Sequence, residues 1–101
     1  MYLSRLAFHT IPGKTAEVEK ELKKLSAMIA KVGGTNPRVL HTHFASLGAP
    51  DLLFEQEAGD LAALEGQMGK LTADPEFQTW SGRVSAMLTQ SPKRELYLIK
   101  S

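Results

Sequence analysis

Residues 2–32 read YLSRLAFHTIPGKTAEVEKELKKLSAMIAKV and contain two successive hydrophobic periods. From Tyr2 to Thr10 successive side chains alternate between two sides, one of them plainly more apolar, and this alternation predicts a strand. Pro12-Gly13 ends that strand. From Lys14 to Val32 apolar residues recur at steps of three and four, which predicts an amphipathic helix of about five turns. Gly33-Gly34 then supplies the helix stop.

The rest of the chain predicts three more strands and a second helical region in two pieces. Strand periodicity covers Arg38–Ala45, Leu52–Glu57 and Glu95–Ile99, and the first two of these form a hairpin. Asp60 is a typical N-cap for one helical piece, and Asp74-Pro75 is a typical start for the next. The element order predicts an α+β, ferredoxin-like βαββαβ fold with a four-stranded antiparallel sheet and its helices on one face. We expect residues 1–101 to form one domain.

The strand alternation also predicts which residues share a face of the sheet. The helix-facing, core side is expected to carry Leu6, Phe8, Leu40, Phe44, Leu52, Phe54, Leu96 and Leu98. The other side is expected to carry Arg5, His9, His41, His43, Glu55, Glu57 and Tyr97, mixed with Leu3, Val39, Leu53 and Ile99. This second face is too mixed for a core and too apolar for water. We therefore expect a second copy of the chain to cover it, as a homodimer about a two-fold axis.

The composition excludes several classes of protein. Among 101 residues, 12 Lys and Arg balance 11 Asp and Glu, and the formal charge is +1. Such a balance is poor for nucleic acid or anionic lipid, so we expect neither as a partner. The absence of cysteine excludes disulfides, Cys-ligated metals and thiol chemistry. Apolar runs are too short for a membrane span and the first residues lack a signal-peptide layout, so we expect a cytoplasmic protein.

Two short segments carry a resemblance to a known superfamily. They are Ile11-Pro12-Gly13-Lys14, which opens the first helix, and 74–80, which reads DPEFQTW. Together with the element order they resemble the dimeric α+β barrel superfamily, in its NIPSNAP-like and antibiotic-biosynthesis-monooxygenase branches. The resemblance implies two sheets packed face to face into a barrel. Its active members include cofactor-independent quinol-type monooxygenases, haem-degrading enzymes, chlorite dismutases and lactone isomerases, so the fold alone selects no reaction.

The haem-degrading members differ from this chain at two positions. They carry an asparagine on the first strand and a histidine four residues after the phenylalanine of the second-helix segment. Here the first strand has no asparagine, and the position four residues after Phe77 is Ser81. We therefore do not expect haem ligation by that route, and we expect no tightly bound cofactor.

The first candidate site joins strand histidines to a carboxylate. His41 and His43 lie two residues apart and are expected to point the same way, toward Glu55 or Glu57 of the hairpin partner. In this hypothesis His41 or His43 accepts a proton and Glu55 orients the imidazole. Two alternatives remain open: a zinc, iron or copper site built from the same groups, and a structural hydrogen-bonded network inside the dimer.

The second candidate site lies in the cleft between helix and sheet. Trp80 with Phe77 is expected to stack on a flat ligand there, although aromatic residues at helical spacing are also typical of a core. Tyr2, Ser4 and Thr42 are expected on the helix-facing side of the sheet, where their hydroxyl groups would orient such a ligand.

These observations lead to two functional hypotheses. In the first, the chain is a cofactor-independent monooxygenase-like enzyme that acts on a small planar organic molecule. In the second, it is a non-enzymatic ligand-binding or stress-associated dimer whose polar interior is purely structural.

Overall fold

The computed structural model describes all of residues 1–101 and contains seven regular elements. In chain order these are β1 (Tyr2–Phe8), α1 (Thr15–Lys31), β2 (Thr35–His41), β3 (Leu52–Ala58), α2 (Leu61–Thr72), α3 (Pro75–Ser85) and β4 (Lys93–Leu98). The strands form one sheet in the order β2-β3-β1-β4, and every neighbouring pair is antiparallel. This confirms the predicted ferredoxin-like fold, with the second helical region split into α2 and α3.

Both ends of α1 follow the predicted signals. Gly13 adopts a φ of +87° in the turn before the helix, a conformation that favours glycine. At the other end Gly33 adopts a φ of +98° and donates its N–H to the Ala30 carbonyl oxygen. Gly34 is required for a different reason, because a Cβ there would lie 2.2 Å from Cγ2 of Ile29.

The starts of α2 and α3 are capped as the sequence predicts. Asp60 accepts a hydrogen bond from the Ala63 N–H at 2.7 Å, and Asp74 accepts one from the Glu76 N–H at 2.9 Å. Pro75 occupies the first turn of α3, where its missing N–H costs no helical hydrogen bond. These caps mark the break between α2, which ends at Thr72, and α3, which begins at Pro75.

The core lies between the helices and one face of the sheet. Its fully buried centre combines the stripe of α1 with strand residues, chiefly Val18, Leu22, Leu25, Ile29, Phe8, Leu52 and Phe54. Leu71 of α2, together with Trp80 and Val84 of α3, extends the same cluster. The opposite face of the sheet, called the open face below, has no helix over it. No helix is long and apolar enough to cross a membrane.

The structure corrects the predicted faces of β2. Leu40 pairs with Leu53 on the open face, whereas His41 pairs with Leu52, which is fully buried under the helices. Val39 packs partly buried against the core. The prediction that Leu40 faces the helices and that Val39 and His41 face away is therefore wrong.

The physical reason is the way β2 starts and ends. The strand begins at Thr35 with an irregularity in its pairing before Arg38, and it ends at His41. Phe44, one of the two apolar residues used to assign the face, lies beyond the strand and is 90% exposed. Because Phe44 lies outside the sheet, the partial burial of Val39 determines which face of β2 points toward the helices.

On β4, Leu96 and Leu98 pair with Ser4 and Tyr2 and so take the predicted helix-facing side. Both side chains are nevertheless exposed, because β4 is an edge strand.

Candidate functional site

A cavity of about 300 Å³ lies between the sheet and the helices, and we call it the helix–sheet cavity. Its floor comes from β1 and β3, and its walls come from α1, α2, α3 and the start of β4. Most of the lining is apolar, with Leu6, Phe54 and Met68 among the contributors. A concave apolar space with a few polar groups is the usual form of a small-molecule site.

An aromatic pair forms one wall of this cavity. Phe77 and Trp80 stack with their ring centroids 5.6 Å apart and their planes at 26°. The Trp80 indole N–H donates a 2.8 Å hydrogen bond to the Glu21 backbone oxygen, which fixes the ring. Trp80 is a member of the buried core and also lines the cavity, so the core and cavity-wall interpretations of this residue hold together.

The floor of the cavity carries two buried polar side chains. Ser4 is 5% exposed and Gln56 is 3% exposed, and they pair with each other across β1 and β3. Nε2 of Gln56 donates to Oε1 of Gln67 at 2.9 Å, and Nε2 of Gln67 donates to the Gly33 carbonyl oxygen at 3.1 Å. These two hydrogen bonds orient the Gln56 amide N–H toward α2. The Ser4 hydroxyl and the Gln56 carbonyl oxygen make no hydrogen bond within the chain, so both can bond a ligand.

The sequence predicted Ser4, Phe77 and Trp80 for this region and missed Gln56 and Arg94. The signal for Gln56 was present, because it is a polar residue on the core side of β3 between Phe54 and Ala58. Arg94 was overlooked because β4 was predicted to begin one residue after it, whereas the strand begins at Lys93.

The other two predicted ligand-orienting residues lie outside the cavity. Tyr2 is half-buried on the helix-facing side, opposite Ala58 and Leu98 at the end of the sheet. Thr42 lies in the loop after β2 and lines a broad groove on the open face, so its predicted helix-facing position is wrong. Its hydroxyl donates to the Pro50 carbonyl oxygen at 2.6 Å.

The predicted histidine–carboxylate site is not assembled. Nδ1 of His41 lies 2.8 Å from Oε1 of Glu19 on α1, and this hydrogen bond lowers the pKa of the Glu19 carboxyl. His43 lies in the following loop with its ring 4.6 Å from that of Phe44. Glu55 lies on the open face, so the expectation that both histidines share a face with it is wrong. No three His, Asp or Glu residues are arranged to hold a metal ion.

Glu55 instead forms the centre of an ion-pair network on the open face. Its side chain is 4% exposed and lies 2.7 Å from Nε of Arg5 and 2.9 Å from Nη2 of Arg38. Arg38 also donates to Glu57 at 3.1 Å, and the Arg5 guanidinium lies over the Tyr97 ring. The hydrogen bond that Arg5 donates to Glu55 raises the pKa of Arg5, and those that Arg38 donates to Glu57 and Glu55 raise the pKa of Arg38. This arrangement resembles the structural network that the sequence left open, built with arginines in place of histidines.

No protein-family model and no curated protein matches the chain. Solved structures do match over its whole length. A NIPSNAP domain protein from Burkholderia xenovorans has a TM-score of 0.75 at 17% identity, covering 100% of this chain and 96% of that one. An antibiotic biosynthesis monooxygenase has a TM-score of 0.70 at 16% identity, covering 100% of both chains. A variant of SnoaB, a cofactor-independent oxygenase from Streptomyces nogalater, has a TM-score of 0.68 at 17% identity. This match covers 99% of this chain and 91% of that one.

The chain therefore has the fold shared by NIPSNAP domain proteins and antibiotic biosynthesis monooxygenases. This confirms the resemblance drawn from the sequence at the level of the fold. At these identities the likeness carries no site residue over to this chain.

Proposed function

We propose that the chain binds a small planar organic molecule in the helix–sheet cavity and oxygenates it as a monooxygenase-like enzyme without a tightly bound cofactor. The observation that carries this proposal is the cavity itself. It combines the stacked wall of Phe77 and Trp80 with two buried polar groups, Ser4 and Gln56, that keep hydrogen-bonding capacity free.

The volume and the lining residues of the cavity support a flat ligand. A volume of about 300 Å³ lies at the small end of the range for small-molecule sites. Trp80 and Phe77 offer a ring face for stacking, and Leu6 and Phe54 form an apolar floor. Ser4 and Gln56 can hold a hydroxyl or carbonyl oxygen at the edge of the ring. A neutral or singly charged molecule of two or three fused rings meets these requirements.

The lining residues favour a reaction driven by the substrate. They include no histidine, aspartate or glutamate, so the chain offers no carboxylate or imidazole base at the ligand. An electron-rich aromatic ring with an acidic methylene group supplies its own electrons to O₂. Two C–H bonds break, one oxygen atom becomes the new carbonyl oxygen, and the other leaves as water. SnoaB, which shares the fold, is a cofactor-independent oxygenase and supports this choice of reaction class.

A second copy of the chain is the partner we propose for the open face. Leu40, Tyr97 and Ile99 leave about two fifths of their surface exposed there (38%, 40% and 39%). The buried Glu55 lies among them with its two arginines. A face that mixes apolar and paired charged groups in this way suits an isologous contact with itself.

Oxygen uptake tests the enzymatic proposal. The probe is dithranol, a tricyclic phenol with an acidic methylene group, and the readouts are O₂ consumed and quinone formed. We expect the wild-type protein to accelerate both in equal molar amounts. A cavity-filling variant, Ser81→Phe, is expected to lose the acceleration, whereas Ser85→Phe, one turn further along α3 and exposed, is expected to keep it. Ligand binding without O₂ uptake would instead favour the non-enzymatic ligand-binding dimer.

A further inference from the structure

We propose that Arg94 binds the carboxylate of the ligand, so that the helix–sheet cavity selects planar aromatic carboxylates. This inference rests on the proposed function of the cavity and names the class of molecule that enters it.

Arg94 lines the cavity from the edge strand β4. Arg94 pairs with Leu6 of β1, and this register puts its side chain on the helix-facing side of the sheet. Its Nη2 donates to the sulfur of Met68 on α2. Leu6 and Met68 both line the cavity, so the guanidinium lies between the floor and one wall.

The charge of Arg94 is uncompensated. The chain has four arginines, and Arg5, Arg38 and Arg83 each have a carboxylate oxygen within 3.1 Å. No carboxylate oxygen lies within 4.0 Å of Arg94, and its one side-chain hydrogen bond goes to a thioether, which is a weak acceptor. Glu65 borders the neighbouring groove on the outer side of Arg94 without pairing to it.

Arg94 is also the only charged residue that lines the helix–sheet cavity. One cation in a mostly apolar lining matches a single negative charge on an apolar molecule. A guanidinium binds a carboxylate through two parallel hydrogen bonds in one plane, and a carboxylate conjugated to an aromatic ring lies in the plane of that ring. A cavity that combines one guanidinium with an aromatic wall therefore fits an aromatic carboxylate better than a tetrahedral dianion such as phosphate.

The sheet register places a second contact at the other end of such a ligand. Ser4 and Gln56 form the pair two residues along β1 from Leu6, a distance of about 7 Å along the strand. A ligand that meets Arg94 with its carboxylate thus extends its ring past the aromatic wall toward Ser4 and Gln56. A hydroxyl or carbonyl oxygen on the distal ring is the substituent that they would hold.

The test compares two probes of nearly the same size and shape, the anionic naphthoate and the neutral naphthamide. The chain has a single tryptophan, so one indole N–H signal in proton–nitrogen correlation spectra reports on the cavity wall. We expect wild-type protein to bind naphthoate about tenfold more tightly than naphthamide. Arg94→Gln is expected to remove that preference, because it weakens naphthoate binding more than naphthamide binding, and Arg94→Lys is expected to retain part of it.

The matched control is Lys93→Gln, which makes the same change of charge at the neighbouring residue, on the open face opposite Ala7. It is expected to keep the preference for naphthoate. Equal affinity for the two probes in wild-type protein, or an equal loss in the Arg94 and Lys93 variants, would overturn the assignment of Arg94 and leave the cavity as a site for neutral ligands. Absence of any indole shift with either probe would overturn the proposed function itself, which separates the two failures.

Discussion

The indole nitrogen of Trp80 on α3 donates to the backbone oxygen of Glu21 on α1 at 2.8 Å, and the side chain of the same Glu21 binds Arg83 of α3 through both carboxylate oxygens. Two adjacent turns of α3 are thus bound to one residue of α1. Because Trp80 also forms a wall of the helix–sheet cavity, these hydrogen bonds hold that wall in place against the core.

Replacement of Trp80 by Phe removes the indole hydrogen bond and part of the buried ring. We expect a loss of about 1–2 kcal/mol in the free energy of unfolding, measured by urea denaturation with circular dichroism. We also expect weaker ligand binding, because the wall is no longer fixed. The stability of Phe77→Leu is the comparison, because this variant removes the ring that stacks on Trp80 but keeps the hydrogen bond from Trp80 to Glu21. An unchanged unfolding free energy in the Trp80 variant would contradict this account.

The Glu21–Arg83 pair predicts a loss of stability in acid. The hydrogen bond from Arg83 lowers the pKa of Glu21 from its ordinary 4.5, so the folded state holds the ionised form more strongly than the unfolded state does. This contribution is fully present above pH 4.5 and is lost as the pH falls through the lowered value in the folded state. We expect the unfolding free energy of wild-type protein to fall more steeply in this range than that of Glu21→Gln. Parallel curves for the two proteins would exclude the contribution.

The network on the open face predicts unequal effects of two similar substitutions. Glu55→Gln removes the charge that both Arg5 and Arg38 bind, in a side chain that is 4% exposed. We expect it to lower the free energy of unfolding by about 2–3 kcal/mol. Glu57→Gln affects only Arg38 and a more exposed carboxylate, so a smaller loss is expected. Urea denaturation of the two variants side by side checks the order, and the reverse order would contradict a structural role for Glu55.

The proposed dimer predicts that a charge on the open face separates the subunits. Leu40→Lys places an ammonium group at an exposed apolar position of that face. We expect native mass spectrometry to show a dimer for wild-type protein and a monomer for this variant. Leu61→Lys, at a similarly exposed position on α2, is the matched control and should remain a dimer. A wild-type monomer at micromolar concentration would refute the proposed partner.

His41 and His43 are predicted to be dispensable for turnover. His41 binds the half-buried Glu19 of α1, and neither His41 nor His43 lines the helix–sheet cavity. We expect His41→Ala and His43→Ala to retain the rate of O₂ uptake with dithranol. A large loss of rate in either variant, with the fold intact by circular dichroism, would restore the histidine hypothesis.

The fold could be predicted from the sequence because local signals agree with the tertiary structure. The stripe of α1, the caps Asp60 and Asp74, and the glycines after α1 each specify an element without knowledge of its neighbours. The face of β2 could not be predicted in the same way. Its pairing is irregular between Thr35 and Arg38, and one residue of offset in a strand exchanges its two faces.

The same limit applies to the candidate site. Ser4 lies on β1, and Phe77 and Trp80 lie on α3. Because these elements are regular, the periodicity of the sequence predicts that all three side chains face the space between helix and sheet. Arg94 is the second residue of the edge strand β4, and the ends of an element are the part that a sequence predicts least well. Its importance also depends on an absence, because only the folded structure shows that no carboxylate neutralises it.

The central claim is that the helix–sheet cavity is a ligand site, and a titration with neutral naphthamide tests it without reference to Arg94. The measurement is the shift of the single indole N–H signal in wild-type protein and in the Ser81→Phe and Ser85→Phe variants. We predict a saturable shift in wild-type protein and in Ser85→Phe, and none in Ser81→Phe. No shift in wild-type protein, or an equal shift in all three proteins, would contradict the claim.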